Sequence, residues 1–141
     1  MPPACFSNAN KKPKGAATVV AVILVIADDR FYLSVIRRIL EDAGHQVLEA
    51  TGGAEGVALF QERKPAVVIT DIFMPDMDGN EVIRLVRSMD KQVGVIAVSA
   101  GGAFYDIDFL ETAKKLGADA ILRKLDPKER ILAEINRLIG A

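Results

Sequence analysis

The chain has 141 residues, half of them hydrophobic, and a formal net charge of −1 at pH 7. This length suits one domain with a single core, and the composition excludes a disordered chain. The near-neutral balance gives no electrostatic reason to expect a nucleic-acid partner. The one cysteine, Cys5, cannot form an internal disulfide. We therefore predict a cytoplasmic protein.

Residues 1–17 are rich in Pro, Asn and Lys and show no hydrophobic period, so we predict a flexible tail. This basic segment and the apolar run 16–27 together mimic a signal peptide, which makes export the alternative. The run is too short to span a bilayer, ends at Asp28-Asp29 and is rich in β-branched residues. We therefore interpret it as a strand, and residues 18–141 as one domain.

Short apolar runs then alternate with helical patterns along the chain. The predicted strands are 19–27, 45–50, 66–70, 93–98 and 118–123. The predicted helices are 31–42, 53–64, 80–89, 107–116 and 127–140, the last with Asp126 as N-cap and Pro127 in its first turn. His45, with no Cys or second His to join it as a metal ligand, is predicted to lie at the surface.

Alternation of this kind requires a parallel sheet with right-handed crossovers and helices on both faces. We predict an α/β protein with a flavodoxin-like, doubly wound sheet of five parallel strands in the order 2-1-3-4-5 and five helices. No internal repeat or linker indicates a second domain.

Polar side chains follow four of the predicted strands. Asp28 and Asp29 follow the first, Asp71 the third, Ser99 the fourth and Lys124 the fifth. Parallel strands end at one sheet edge, and the order places strands one and three side by side. At about 4–6 Å and an effective dielectric near 20, two carboxylates repel by roughly 3–4 kcal/mol. A Mg²⁺ or Mn²⁺ ion would relieve this repulsion, so we predict a metal site.

An aspartate beside such a metal can act as a nucleophile and form an aspartyl phosphate. We predict Asp71 in this role, with the metal and Lys124 neutralising the phosphoryl oxygens and Ser99 donating a hydrogen bond. Taken singly, Ser99 would be an ordinary turn hydroxyl, Lys124 a solvated residue and Asp28 a helix N-cap. Their joint placement at the strand ends favours the site.

From about residue 18 to residue 140 the chain resembles the receiver domain of bacterial two-component response regulators. The motifs that carry the resemblance are Ile26-Ala-Asp-Asp29, Asp71-Ile-Phe-Met-Pro-Asp-Met-Asp-Gly79, Val98-Ser-Ala100, and Gly117-Ala-Asp119 with Lys124. The resemblance implies that a histidine kinase or a phosphotransfer protein phosphorylates Asp71. It also implies a Mg²⁺ held by Asp29, Asp71 and the backbone carbonyl of Phe73, with Asp28 acting mainly through water. Ser99 and Lys124 would contact the phosphoryl group.

The sequence departs from the family pattern near the site. Ser99 replaces the commoner Thr, and Ile121 stands where a switching Tyr or Phe is usual. The loop after Ser99 is longer than usual and carries Gly101-Gly102, which we expect to rearrange on phosphorylation. The family's Lys-Pro-Phe-Asp-Pro is shortened to Lys124-Leu-Asp-Pro127.

This shortening leaves two alignments. Counting back from Asp-Pro would give the lysine's place to Arg123, but the Gly117-Ala-Asp119 motif fixes the register in favour of Lys124. We predict a trans Lys124–Leu125 bond, because a cis bond before a residue other than proline costs roughly 2.5–4 kcal/mol.

The function predicted from the resemblance is that of a stand-alone response regulator, which catalyses only its own phosphorylation and dephosphorylation. Helix four, strand five and helix five would present a face to a downstream protein, with no direct contact to nucleic acid or membrane. A metal-dependent phosphatase or phosphotransferase acting on a small molecule is the alternative, but it commonly needs a second Asp where Phe73 stands. A flavin-binding module would need a Ser/Thr-rich phosphate loop, and Asp28-Asp29 would repel the phosphate.

Overall fold

The computed structural model of the protein describes residues 20–99 and 106–140, and side chains throughout these ranges except at 106–110. The strands are β1 (Val22–Ile26), β2 (Gln46–Ala50), β3 (Val67–Asp71), β4 (Gly94–Ser99) and β5 (Ala120–Arg123). The helices are α1 (Arg30–Asp42), α2 (Gly53–Arg63), α3 (Gly79–Met89), α4 (Asp106–Leu116) and α5 (Lys128–Leu138).

The five strands pair in parallel in the order β2-β1-β3-β4-β5, which confirms the predicted topology. Every residue of β3 is buried, as expected for a central parallel strand covered on both faces. The register brings Ile26 of β1 beside Thr70 of β3, and Asp71 beside Val98 of β4. The acidic residues after β1 therefore lie next to the end of β3.

Alternate residues of each strand supply two separate cores. On β1, Ile23 and Val25 join the core beneath α1 and α5, whereas Leu24 and Ile26 join the core beneath α2, α3 and α4. All four side chains are fully buried. Because burying one such side chain contributes about 1.5–3 kcal/mol, the two apolar faces fix the strand register firmly.

The structure corrects the prediction for His45, which is buried with only 3% of its surface exposed. Its Nδ1 accepts a hydrogen bond of 3.1 Å from the backbone N–H of Ala21. That donor lies just before β1, and a partner so distant in sequence gives no local signal. The histidine thus provides an acceptor for an otherwise unpaired backbone group.

The start of the last helix also differs from the prediction. Asp126 is not the N-cap, because α5 begins at Lys128 with Pro127 in the cap position. The Asp126 carboxylate instead accepts a hydrogen bond of 2.8 Å from the backbone N–H of Arg123, and so closes the turn between β5 and α5.

The remaining boundaries agree with the prediction to within a few residues, and two shifts affect the site. Asp71 and Ser99 are the last residues of β3 and β4, not the first residues of the following loops. The predicted tail, 1–17, lies outside the described residues. Among the described residues, no helix has both the length and the apolarity needed to cross a bilayer.

Arg87 of α3 joins several segments at the sheet edge opposite Asp71. Its guanidinium donates to the backbone carbonyls of Val93 at 2.5 Å and Gly117 at 3.0 Å, and to the Asp119 carboxylate at 2.7 Å. The Asp119 carboxylate also accepts the backbone N–H of Val95 at 2.9 Å. The Gly117-Ala-Asp119 motif is thus part of a polar network that anchors the start of β4 and β5.

We expect Arg87→Met to destabilise the protein by about 2–3 kcal/mol, because it leaves several partly buried acceptors without their charged donor. Urea unfolding followed by circular dichroism measures this change. The matched control is Arg84→Met on the same helix, whose exposed ion pair with Glu81 contributes little. Equal stability of the two variants would contradict the role of Arg87 in the network.

Candidate functional site

Asp71 ends the central strand and is only 4% exposed. Its backbone is held on two sides: its carbonyl accepts a hydrogen bond of 2.9 Å from the Thr70 hydroxyl, and the next N–H, of Ile72, donates to Val98 at 3.2 Å. The Asp71 carboxylate is thus attached to a fixed backbone at the edge of the sheet. A carboxylate buried this far is costly unless charged or polar groups face it.

The loop after Asp71 returns tightly to its own start. Gly79 donates its backbone N–H to the carbonyl of Ile72 at 2.7 Å, and an added Cβ at Gly79 would lie 2.0 Å from the carbonyl oxygen of Asp71. Only glycine fits so close to the backbone. The preceding Asp78 caps α3 by accepting the N–H of Glu81 at 3.0 Å. The motif's last two residues therefore fix the loop in place.

Asp76 in the same loop caps a different helix, a role that the sequence analysis missed. The N-cap of α2 is Gly52, which has no side chain, and the two Asp76 oxygens accept the N–H groups of Gly53 and Ala54 at 3.0 Å each. These hydrogen bonds, that of Ala54 first, hold the pKa of Asp76 below its usual value. Adjacent glycines at a predicted helix start could have indicated a cap supplied from elsewhere.

Lys124 lies between two of the predicted acidic residues. Its Nζ is 3.3 Å from Asp71 Oδ2 and 3.6 Å from Asp29 Oδ2. Its backbone N–H donates to the carbonyl of Ser99 at 3.0 Å, which aligns the turn with the end of β4. Lys124, and not the exposed Arg123, therefore lies beside these acidic residues.

The Lys124–Leu125 bond is trans, as predicted, since the described residues contain no cis peptide bond. The Leu125 side chain is 91% exposed and so gives the lysine little packing support. The Lys124 side chain itself is largely buried, with charged groups facing its ammonium.

Asp29, rather than Asp28, caps α1. Its Oδ1 accepts the backbone N–H groups of Phe31 at 3.0 Å and Tyr32 at 3.1 Å, while Oδ2 faces Lys124. The hydrogen bond from Tyr32 is the first cause that lowers the pKa of Asp29, and the charge of Lys124 adds to it while burial opposes it. Asp29 therefore stays ionised. Asp28 is exposed beside it.

Asp71 has the opposite shift. Burial raises its pKa to about 6, Lys124 opposes the rise, and the charges of Asp28 and Asp29 add to it. Asp71 is consequently protonated more readily than Asp29, although a pKa of about 6 leaves it mostly ionised at neutral pH. The lysine only partly offsets the cost of burying this charge.

Two buried oxygens at this edge have unused hydrogen-bonding capacity. Ser99 is 3% exposed, and neither its Oγ nor Asp71 Oδ2 has a well-directed hydrogen bond among the described residues. Such groups are rare in a native structure unless a ligand completes them. A hydroxyl, an ammonium and a carboxylate oxygen therefore lie at the same edge of the sheet, where β4, β5 and β3 end.

The donor atoms also suit a hard divalent cation, because Asp29 and Asp71 present carboxylate oxygens at the same edge. Within the described part of the chain, however, no three His, Cys, Asp or Glu side chains stand close enough to form a ready-made metal site. The Lys124 ammonium also contributes a positive charge at this edge, 3.3 Å from Asp71 Oδ2. Ile121 is half-buried on β5, and Gly101-Gly102 lies outside the described residues.

Comparison with known proteins gives one consistent picture. A family model described as "Response regulator receiver domain" matches residues 23–136. Chemotaxis protein CheY of Thermotoga maritima is 31% identical over 117 residues, which is 82% of this chain and 95% of that protein. Protein PilH of Pseudomonas aeruginosa is 31% identical over 121 residues, covering 86% of this chain and 99% of PilH.

Solved structures agree with these relatives. The crystal structure of a response regulator receiver domain protein from Clostridium thermocellum is 34% identical, with a TM-score of 0.79. The match covers 85% of this chain and 94% of that one. Chemotaxis protein CheY4 of Vibrio cholerae is 26% identical, with a TM-score of 0.77, over 85% of this chain and 99% of its own.

We expect Asp71→Asn to be more stable than the parent protein by about 2–3 kcal/mol at pH 7, since a rise of roughly two pKa units corresponds to that energy. The folded state binds the Asp71 proton more tightly than the unfolded state, so its ionisation lowers stability as pH rises from about 4 to about 6. The advantage of the variant should therefore shrink as pH falls through this range.

Urea unfolding at several pH values, with a chelator present, measures the difference. The control is Asp42→Asn at the end of α1, where the side chain is exposed and we expect little change in stability at any pH. A variant at position 71 no more stable than the parent at pH 7 would contradict the unfavourable burial of this charge.

Proposed function

This chain belongs to the family of response regulator receiver domains, which accept phosphoryl groups in two-component signalling, and we propose that Asp71 is its phosphoacceptor. The observation that carries the proposal is the burial of Asp71 at the end of β3 with Oδ2 facing Lys124 Nζ at 3.3 Å. The other carboxylates at this edge, Asp28 and Asp29, are more exposed. Neither of them belongs to a strand, since β1 ends at Ile26.

Receiver domains take the phosphoryl group from histidine kinases or phosphotransfer proteins. In the proposed reaction an oxygen of ionised Asp71 attacks the phosphorus of a phosphohistidine, an O–P bond forms, and the N–P bond to the donor imidazole breaks. Lys124 loses part of its contact with Asp71 and neutralises a phosphoryl oxygen instead. The Ser99 hydroxyl, buried and with capacity to donate, completes the shell around the transferred group.

Receiver domains generally use Mg²⁺ for this reaction. Here Asp29 and Asp71 would hold the ion (Mn²⁺ would also suit), helped by the backbone carbonyl of Phe73 and by Asp28 through water. The cap on α1 engages Asp29 Oδ1 and leaves Oδ2 for the metal. When bound, the ion adds positive charge against the developing charge of the phosphoryl oxygens.

For output, we propose that the surface of α4, β5 and α5 meets a downstream protein, and that the segment containing Gly101-Gly102 carries most of the rearrangement. Ile121, half-buried on β5, has no aromatic ring to rotate. We place the protein in the cytoplasm, without direct contact to nucleic acid or membrane, and confine its chemistry to its own phosphorylation and dephosphorylation. The alternative of a small-molecule phosphatase gains no support from the comparisons.

The phosphoacceptor is tested with acetyl phosphate and Mg²⁺. Intact-mass spectrometry should show one added phosphoryl group, removable by hydroxylamine as expected for an acyl phosphate. Asp71→Asn should abolish the addition because the amide is not a nucleophile, whereas the control Asp42→Asn should label like the parent. Undiminished labelling of Asp71→Asn would refute the assignment.

The metal ligands are tested by calorimetric titration with Mg²⁺ or Mn²⁺ in the absence of phosphate. Asn is as good an N-cap as Asp, so Asp29→Asn removes the charge and leaves the cap of α1 intact. We expect this variant to bind the metal at least about tenfold more weakly than the parent, a loss of roughly 1.4 kcal/mol. Asp28→Asn should lose less. Equal affinities for the parent and Asp29→Asn would contradict the proposed ligand set.

A further inference from the structure

Tyr32 is a buried aromatic residue beside the site, and it has no role in the function proposed above. It lies in the first turn of α1 and is 6% exposed. The Lys124 Nζ lies 5.2 Å from the centroid of its ring, within the range of a cation–π contact. Its backbone N–H also donates to Asp29 Oδ1 at 3.1 Å. Tyr32 therefore contacts both the ammonium of Lys124 and the carboxylate of Asp29.

The simplest alternative is that Tyr32 only fills the core beneath α1 and α5, to which it belongs. A phenylalanine would fill that space without burying a hydroxyl. The Tyr32 Oη is buried and has no hydrogen-bond partner among the described residues. Burial, and then the charges of Asp71 and Asp126, raise the pKa of this hydroxyl above its usual value, so it remains neutral. The ring thus stays a neutral, electron-rich face toward the ammonium.

The surroundings of Lys124 give this contact its significance. A lysine side chain has a flexible four-carbon stem and loses considerable conformational entropy when it is held in one direction. The trans bond to exposed Leu125 does not constrain it. On one side, Asp71 and Asp29 attract the ammonium at 3.3 and 3.6 Å. The ring of Tyr32 lies against the ammonium as well, with its centroid 5.2 Å from Nζ.

We propose that Tyr32 is a positioning residue, whose ring holds the Lys124 ammonium against Asp71 and Asp29 so that it is ready to contact the phosphoryl group. This proposal rests on the proposed function of Asp71 and Lys124. In this chain, a ring on α1 lies against the ammonium of Lys124, which is carried by the turn after β5. Tyr32 itself touches no reacting atom.

The geometry is tested by NMR on protein with ¹³C-labelled lysines, without any phosphoryl donor. A ring next to the ammonium should shift the Lys124 ε-methylene protons upfield relative to the other lysines. Tyr32→Phe keeps the ring and should keep the shift, whereas Tyr32→Leu should abolish it. An unchanged Lys124 signal in Tyr32→Leu would overturn the contact.

The function is tested by the initial rate of labelling with acetyl phosphate and Mg²⁺. We expect Tyr32→Leu to be slower than the parent by about fivefold, the size of a cation–π contact that is partly shielded from water. Tyr32→Phe should restore most of the rate. A rate in Tyr32→Phe as low as in Tyr32→Leu would overturn the proposal, because the hydroxyl and not the ring would then matter.

A double-mutant cycle separates positioning from a general structural effect. If Tyr32 acts through the lysine, Tyr32→Leu should slow labelling in the parent and have no further effect in a Lys124→Met background. The same fold loss in both backgrounds would overturn the proposal. Phe31→Leu, an exposed aromatic next to Tyr32 on α1, is the matched control and should label normally. Thermal unfolding of all variants identifies any that are poorly folded at the assay temperature.

Failure of this inference is distinct from failure of the proposed function. If Asp71→Asn still labels like the parent, Asp71 is not the phosphoacceptor and the whole assignment falls. If Asp71→Asn does not label, but Tyr32→Leu labels at the parent rate, only the role of Tyr32 is refuted.

Discussion

The site depends on the cost of keeping a carboxylate at the buried end of the central strand. Asp71 is covered on both faces of the sheet, and one ammonium, that of Lys124, stands within ion-pair distance of it. In a low-dielectric setting, each neighbouring charge then has a large effect on its ionisation. The same burial that penalises the charge also excludes water from the place where an acyl phosphate would form, which favours nucleophilic attack and slows hydrolysis.

Hydrogen bonds fix the backbone around Asp71, whereas the charged side chains at the site can exchange partners. Thr70, Ile72 and Gly79 hold the backbone around Asp71, and their hydrogen bonds need not change when the carboxylate is modified. The Lys124 ammonium, by contrast, is shared between the carboxylates of Asp71 and Asp29, at 3.3 and 3.6 Å. A rigid nucleophile and an adjustable cation are a suitable combination for a group that gains and loses charge.

The regular parts of the fold could be predicted from the sequence, because the apolar periods of strands and helices are local signals. Their alternation predicts a parallel sheet, whose order brings the ends of β1, β3, β4 and β5 to one edge, where the structure places Asp71, Ser99 and Lys124. The sequence could not show that the Lys124 ammonium lies between Asp71 and Asp29. That depends on side-chain distances across a turn one residue shorter than usual.

The misses have the same origin. His45 accepts a hydrogen bond from a residue 24 positions earlier, and Asp76 caps a helix 22 and 23 positions earlier, so neither role has a local pattern. Tyr32 lies more than 90 positions before the lysine whose ammonium it faces. In each case, a polar or aromatic group is used by a segment that is near in space and distant along the chain.

The cap that Asp76 provides has a consequence for protein engineering. An added Cβ at Gly52 would lie 3.0 Å from the Asp76 carboxylate, and one at Gly53 would lie 2.8 Å from the Cβ of Met77. The loop 71–79 and the pair of glycines at the start of α2 are therefore complementary surfaces, although Gly53 and Asp71 are 18 positions apart in the sequence. A chimaera that takes residues 71–79 from this chain would meet a steric clash with Asp76 or Met77 unless it takes the glycine pair as well. A chimaera that replaces these residues in this chain would remove the cap of α2. The unit of modular exchange in this protein is thus a discontinuous one.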